Sequence, residues 1–259
     1  MPGRSTVELF DLDGHVSVVT GGNSGIGLGM AAGLAEAGAQ VVIWGTSSER
    51  NEAAVTRLSS RGAVASMTVD VGEEQQVIEA MAEVARRYGR LDSCFANAGH
   101  SLPPTALVDT SLAEFRAVTQ VDLDGAFATL REAARHMIAA GNGGSLVATS
   151  SMSVRFGMAR NYAYTASKAA LVAIVKALAV ELARHSIRAN ALLPGWTESG
   201  VTSASFANET FVRKVMPRMP VRRWGTGDDF AGIAVYLASR ASSFHTGDAI
   251  LVDGGYSAF

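Results

Sequence analysis

The stretch Val16-Ser17-Val18-Val19-Thr20-Gly21-Gly22-Asn23-Ser24-Gly25-Ile26-Gly27 decides the architecture. Its first five residues form a short, β-branched run that reads as a buried strand. Four glycines follow, at 21, 22, 25 and 27, and from Ile26 to Ala37 the pattern is helical. A strand that turns through glycines into a helix exposes free N–H groups and the positive end of the helix dipole, which together attract phosphate. A glycine-rich turn also serves as a plain tight connection, so the rest of the chain must decide between the two.

Outward from this turn, strand and helix patterns alternate. Val41–Trp44, Ala63–Val69, Leu91–Ala96, Ser145–Thr149, Ile187–Leu192 and Ala249–Val252 read as strands. Glu49–Ser60, Glu73–Tyr88, Leu112–Ala139, Tyr162–Arg184 and Thr226–Ser239 read as helices. This rhythm predicts an α/β fold, a Rossmann-like doubly wound parallel sheet of about seven strands with helices on both faces. No repeat, low-complexity tract or linker divides it, so residues 1–259 are expected to form one domain. The rhythm breaks over 195–220, which carries Trp196, Phe206, Phe211, Met216 and Met219 and reads as a lid over a substrate pocket.

Composition narrows the function classes. A net charge of −2 gives no electrostatic case for nucleic acid or an anionic membrane. The apolar stretch Ala166–Ala183 is interrupted by Lys168, Lys176 and Glu181, so it does not read as a membrane span. Cys94 is the only cysteine and reads as a buried strand thiol, which fits a cytoplasmic location. His15, His100, His136, His185 and His245 form no metal-ligand pattern, and no metal is expected. His100 stands where a loop side chain can approach the pocket.

Tyr164-Thr165-Ala166-Ser167-Lys168 places a phenol and an ammonium four residues apart, on one face of a helix start. An unperturbed phenol titrates near ~10, and a neighbouring ammonium favours its phenolate, making Tyr164 a candidate acid/base. Ser150 and Ser151 lie at the end of the fifth strand, where open α/β sheets place their ligands.

Thr20-Gly21-x-x-x-Gly25-Ile26-Gly27 resembles the cofactor signature of the short-chain dehydrogenase/reductase family, and Tyr164-x-x-x-Lys168 resembles its catalytic pair. Asp70-Val71 resembles the family's adenine-contacting pair, Asn97-Ala98-Gly99 its N-A-G motif, and Pro194-Gly195 with Thr197 and Ser199 the segment that receives the nicotinamide carboxamide. The resemblance runs from Thr20 to Gly255. It implies NAD(P)(H) as cofactor and hydride transfer between a ketone or aldehyde and an alcohol. It also implies Ser151 rather than Ser150 polarising the substrate oxygen, because the family serine commonly precedes its tyrosine by thirteen positions. Lys168 would lower the proton affinity of Tyr164 and bind the nicotinamide ribose. Tyr162 has no lysine partner in register and is set aside. Cofactor contacts are expected from Gly21, Asn23, Ser24, Gly25, Ile26, Gly27, Thr46, Asp70, Val71, Asn97, Ala98, Gly99, Tyr164, Lys168, Pro194, Gly195 and Thr197.

One position departs from the family pattern. Where V-N-L-x-G is common, the chain has Val121-Asp122-Leu123-Asp124-Gly125, so Asp122 replaces an asparagine tied to a helix irregularity and a water relay. Asp122 is taken as a fourth catalytic residue that accepts the same hydrogen bonds. The turn after the second strand, Trp44-Gly45-Thr46-Ser47-Ser48, lacks the acidic residue that binds a ribose diol, while Thr46, Ser47 and Arg50 can hold a 2′-phosphate. The reading leans slightly to NADP. The apolar circumference of Tyr162–Arg184 and the C-terminal Asp253-Gly254-Gly255-Tyr256 point to a homotetramer. Ser153, Phe156, Tyr162, Trp196 and the Phe and Met residues of the lid suggest an apolar or moderately polar carbonyl substrate, such as a ketone, a ketosteroid or a cyclic alcohol. Two other functions share the motifs: a catalytically silent nucleotide-binding regulator, and an epimerase or dehydratase using bound cofactor.

Overall fold

The computed structural model describes residues 5–199, 202 and 206–258. Seven parallel strands form one sheet: β1 (Val16–Thr20), β2 (Gln40–Gly45), β3 (Val64–Thr68), β4 (Ser93–Ala96), β5 (Gly144–Thr149), β6 (Ile187–Pro194) and β7 (Ala249–Val252). Their spatial order is β3-β2-β1-β4-β5-β6-β7. The order reverses between β1 and β4, which opens a crevice beyond the carboxyl ends of those strands. All five residues of β1 are buried, as a strand covered on both faces requires.

Two helical layers cover the sheet. On one face lie α1 (Gly25–Glu36), α2 (Ser48–Leu58) and α8 (Ala231–Ala238), whose Met30, Leu34, Leu58, Ala234 and Leu237 pack with Val19, Ile43 and Phe95. On the other lie α3 (Glu74–Tyr88), α5 (Ala126–Ala140) and α6 (Tyr162–Leu182), whose Val77, Met81, Leu130, Met137, Leu171 and Val175 pack with Val18, Cys94 and Leu146. A third, smaller cluster joins Met152, Val215, Met219 and Tyr256, with Trp196, Phe211 and Trp224 packed against it.

The helical pattern 112–139 is not one regular helix. It divides into α4 (Leu112–Thr119), a π-helical turn over Gln120–Gly125 and α5. A π turn adds a residue to the local winding and rotates the side chains that follow. Asp122 sits inside it, fully buried. The segment 195–220 is also less irregular than its composition suggests: Asn208 caps α7 (Glu209–Val215) by accepting a hydrogen bond from the Phe211 N–H, and a single 3₁₀ turn follows. Positions 200, 201 and 203–205 of that segment lie outside the described residues. Beside it, a bidentate Arg223 guanidinium holds the Asp229 carboxyl down at about 2 despite partial burial, and Asp229 in turn caps the 3₁₀ turn Gly227–Phe230.

Candidate active site

The ends of β1, β4 and β5 are stitched together by side chains. Thr20 Oγ1 accepts from the N–H groups of Asn97 and Ala98, each at 2.9 Å, while Asn97 Nδ2 donates to Thr20 O at 3.0 Å. The Thr149 hydroxyl donates to Asn97 Oδ1 at 3.1 Å. A cavity of about 590 Å³ opens above this floor.

At one end of the cavity stands the glycine turn. Gly21 and Gly25 adopt φ of +63° and +50°, a region that side chains with a Cβ enter at a cost. Gly27 needs its lack of a side chain for space, since a Cβ there would lie 2.3 Å from Gly21 O. Ser24, Gly25 and Ile26 line the wall where α1 begins and where its first N–H groups lack intrahelical acceptors. Thr46 and Arg50 extend the same wall past the end of β2. A residue the motifs did not single out secures this end. Buried Asn51 donates to Gly45 O at 2.9 Å and to Met67 O at 3.3 Å, and it accepts from Asn23 Nδ2 at 2.7 Å. Asn51 thereby ties the turn to β2 and β3.

At the other end, Ser151, Tyr164 and Lys168 share one wall. The two serines have separate partners. Ser150 Oγ donates to Lys168 O at 2.7 Å and is spent on holding α6, whereas Ser151 Oγ accepts from Ser153 N at 3.1 Å and keeps its proton free. Lys168 is almost wholly buried. Its ammonium donates to Thr149 O at 3.1 Å, stands 3.3 Å from Asp122 Oδ2 and lies 5.6 Å from the centre of the Tyr164 ring. Asp122 Oδ1 accepts from the main-chain N–H of His100. The π turn thus points a carboxylate at the lysine from beneath the cavity.

Between the two ends, Asn97, Ala98 and Gly99 face Pro194, Gly195 and Thr197 across the cavity. Thr202 Oγ1 donates to Thr197 O at 2.7 Å, fastening position 202 to this segment. His100, Ser101, Met152, Met158 and Trp196 complete the substrate end; Ser101, Met152 and Met158 carried no motif that would have marked them.

Several expected residues stand outside the wall. The Asn23 amide is engaged by Asn51, and Gly27 packs behind the turn. Asp70 accepts from the Gly72 N–H, and Val71 is buried against Gly125. Asp122 is not itself in the wall and reaches the cavity through Lys168 and the main chain of His100, and Tyr162 lines a neighbouring small cavity of about 40 Å³ that shares Tyr164. Cys94 is fully buried in β4, where burial pushes its thiol up to about 12, so it stays protonated.

This geometry suits a nucleotide cofactor laid across the switch point, with its phosphates at α1 and its reactive ring beside Tyr164. Comparison with known proteins agrees. The sequence model of a family described as Enoyl-(Acyl carrier protein) reductase matches residues 21–257. Gluconate 5-dehydrogenase of Gluconobacter oxydans (strain 621H) is 35% identical over 96% of each chain. A short-chain type dehydrogenase/reductase from Mycobacterium marinum superimposes with a TM-score of 0.92 at 34% identity, covering 98% of this chain and 99% of that one. A gluconate 5-dehydrogenase from Burkholderia cenocepacia J2315, crystallised with NADP and tartrate, also gives 0.92 at 34% identity, over 98% and 100%. The chain therefore belongs to the short-chain dehydrogenase/reductase family and is an NAD(P)-dependent oxidoreductase acting on CH–OH groups.

Proposed function

We propose that the protein is an NADP(H)-dependent ketone reductase, or the corresponding alcohol dehydrogenase, in which Ser151, Tyr164 and Lys168 carry the chemistry. The observation that carries this reading is that all three stand in the wall of the one cavity that also begins at the glycine turn. Bound NADPH would supply the hydride to the carbonyl carbon. As the C=O π electrons move onto oxygen, the free Ser151 proton stabilises the developing charge and the Tyr164 phenol transfers its own proton to the alkoxide. The Lys168 ammonium stabilises the phenolate left behind and would bind the nicotinamide ribose. Asp122 holds Lys168 from below and fixes the His100 loop.

NADP is favoured because the wall beyond β2 offers Arg50 and the Thr46 hydroxyl, and no carboxylate, to a 2′-phosphate. Arg50 forms no ion pair among the described residues, so its charge is uncommitted. Turnover measured with both reduced cofactors tests this. Arg50→Ala is expected to raise KM for NADPH about tenfold and leave NADH unchanged, since removing one phosphate partner costs roughly 1.5 kcal/mol. A strong wild-type preference for NADH would overturn it.

Residues 1–259 form one domain in this reading, with 195–220 as a lid over the substrate, in a cytoplasmic protein. A homotetramer is proposed from the outer face of α6, where Val180 is exposed beside the loop that carries a fully exposed Phe244. Light scattering at micromolar concentration should give about four times the chain mass; a monomer would remove the proposal.

A further inference from the structure

The substrate end of the cavity combines apolar and polar lining and holds no carboxylate among the described residues. Met152, Met158 and Trp196 form the apolar side, while Ser101 and Ser151 supply hydroxyls and His100 an imidazole. The apolar side is the surface of a built structure. Met152 is buried among Val215, Met219 and Tyr256, and Trp196 stands edge-on to Phe211, with ring centres 4.9 Å apart, and edge-on to Tyr256. Phe206 stacks on Trp224 at 4.1 Å behind them.

Among the described residues, the lysines and arginines that could serve a carboxylate here are occupied or elsewhere, and His100 is the one imidazole in the wall. The Lys168 ammonium is held by Thr149 O and Asp122. Arg50 lies past β2, three strand positions from β5 and so roughly 14 Å away at ~4.8 Å per step. Arg155 and Arg160 flank Met158 in the sequence but are not in the wall; Arg160 borders the neighbouring small cavity. The Arg218 guanidinium lies over the Tyr256 ring and donates to its hydroxyl at 3.1 Å. Positions 200, 201 and 203–205 are Gly, Val, Ser, Ala and Ser, and bring no charge. A carboxylate placed against Met152, Met158 and Trp196 would be desolvated with no lysine or arginine to pair its charge.

We propose that the substrate is an uncharged ketone, or its secondary alcohol, with an apolar ring or chain seated against Met152, Met158 and Trp196, and that sugar acids of the gluconate type are poor substrates. This rests on the carbonyl-reduction reading above. The test is NADPH oxidation at about pH 8, where imidazoles as a class are neutral. The probes are methyl 4-oxocyclohexanecarboxylate, its free carboxylate, 5-keto-D-gluconate and the small activated diketone 2,3-butanedione, with NADPH binding followed by fluorescence. The expected result is a kcat/KM at least about 100-fold higher for the ester than for either carboxylate, with Met158→Arg narrowing that ratio at least about tenfold. Equal or better turnover of a carboxylate overturns the substrate class and leaves carbonyl reduction standing. So does turnover of the diketone alone. Bound NADPH with no turnover of any probe overturns both.

Discussion

Tyr164→Phe is expected to lower kcat by on the order of 10³ while NADPH binding stays within about twofold of wild type. The change removes one oxygen and leaves the ring against Lys168, 5.6 Å from its centre, so the wall keeps its shape. What disappears is the one phenol among the described residues of the cavity wall and with it the proton for the substrate oxygen. Ser151 can still donate a hydrogen bond, but an alcohol is too weak an acid to replace the phenol. Tyr162 cannot substitute, because it is not in the wall of the cavity that holds Ser151 and Lys168. Pre-steady-state mixing with NADPH and a ketone reads the hydride step directly. A kcat within tenfold of wild type would remove Tyr164 from the acid/base role.

The second large effect concerns the buried pair beneath it. Lys168→Met should abolish measurable turnover and lower stability by about 3 kcal/mol or more, because Asp122 would remain as a fully buried carboxylate facing no cation. Adding Asp122→Asn removes that charge and, with the His100 N–H still accepted by the amide oxygen, should recover most of the stability but none of the turnover. Denaturant unfolding and steady-state kinetics on the two variants separate the two roles of the lysine. If the double variant regains turnover, Lys168 is structural only. Asp122→Ala alone should reduce turnover by loosening Lys168; full turnover across the pH range would exclude Asp122 from any proton path.

Much of this was legible in the sequence because the sheet is covered on both faces. Strands such as Val16–Thr20 are buried throughout and rich in valine for that reason, and the crossovers between them follow from handedness. Ser151, Tyr164 and Lys168 could be placed together because a strand end and one helical face determine where those side chains go. Other features depend on contacts distant in sequence. Asn51 looks like an ordinary polar helix residue until its bonds to Asn23, Gly45 and Met67 are seen. The π turn at 120–125 leaves no mark in hydrophobic periodicity, since it displaces one residue within a pattern that stays helical on either side. Helix α7 was missed because seven residues are too few to show a period, although Asn208 followed by Glu209 is a readable helix start. The substrate wall was only half legible: Trp196 was suspected, but Met152 and Met158 are brought beside it by loops whose path composition does not specify.

The third packing cluster has a consequence for how the molecule can change. Met152, Val215, Met219 and Tyr256 form a set separate from the two cores that hold the sheet, and the Asn51 ties that fix the glycine turn lie at the other end of the cavity. Substitutions in the two places share no partner, so their effects should combine additively. What the enzyme accepts as substrate can therefore be rewritten side chain by side chain without renegotiating how it grips its cofactor.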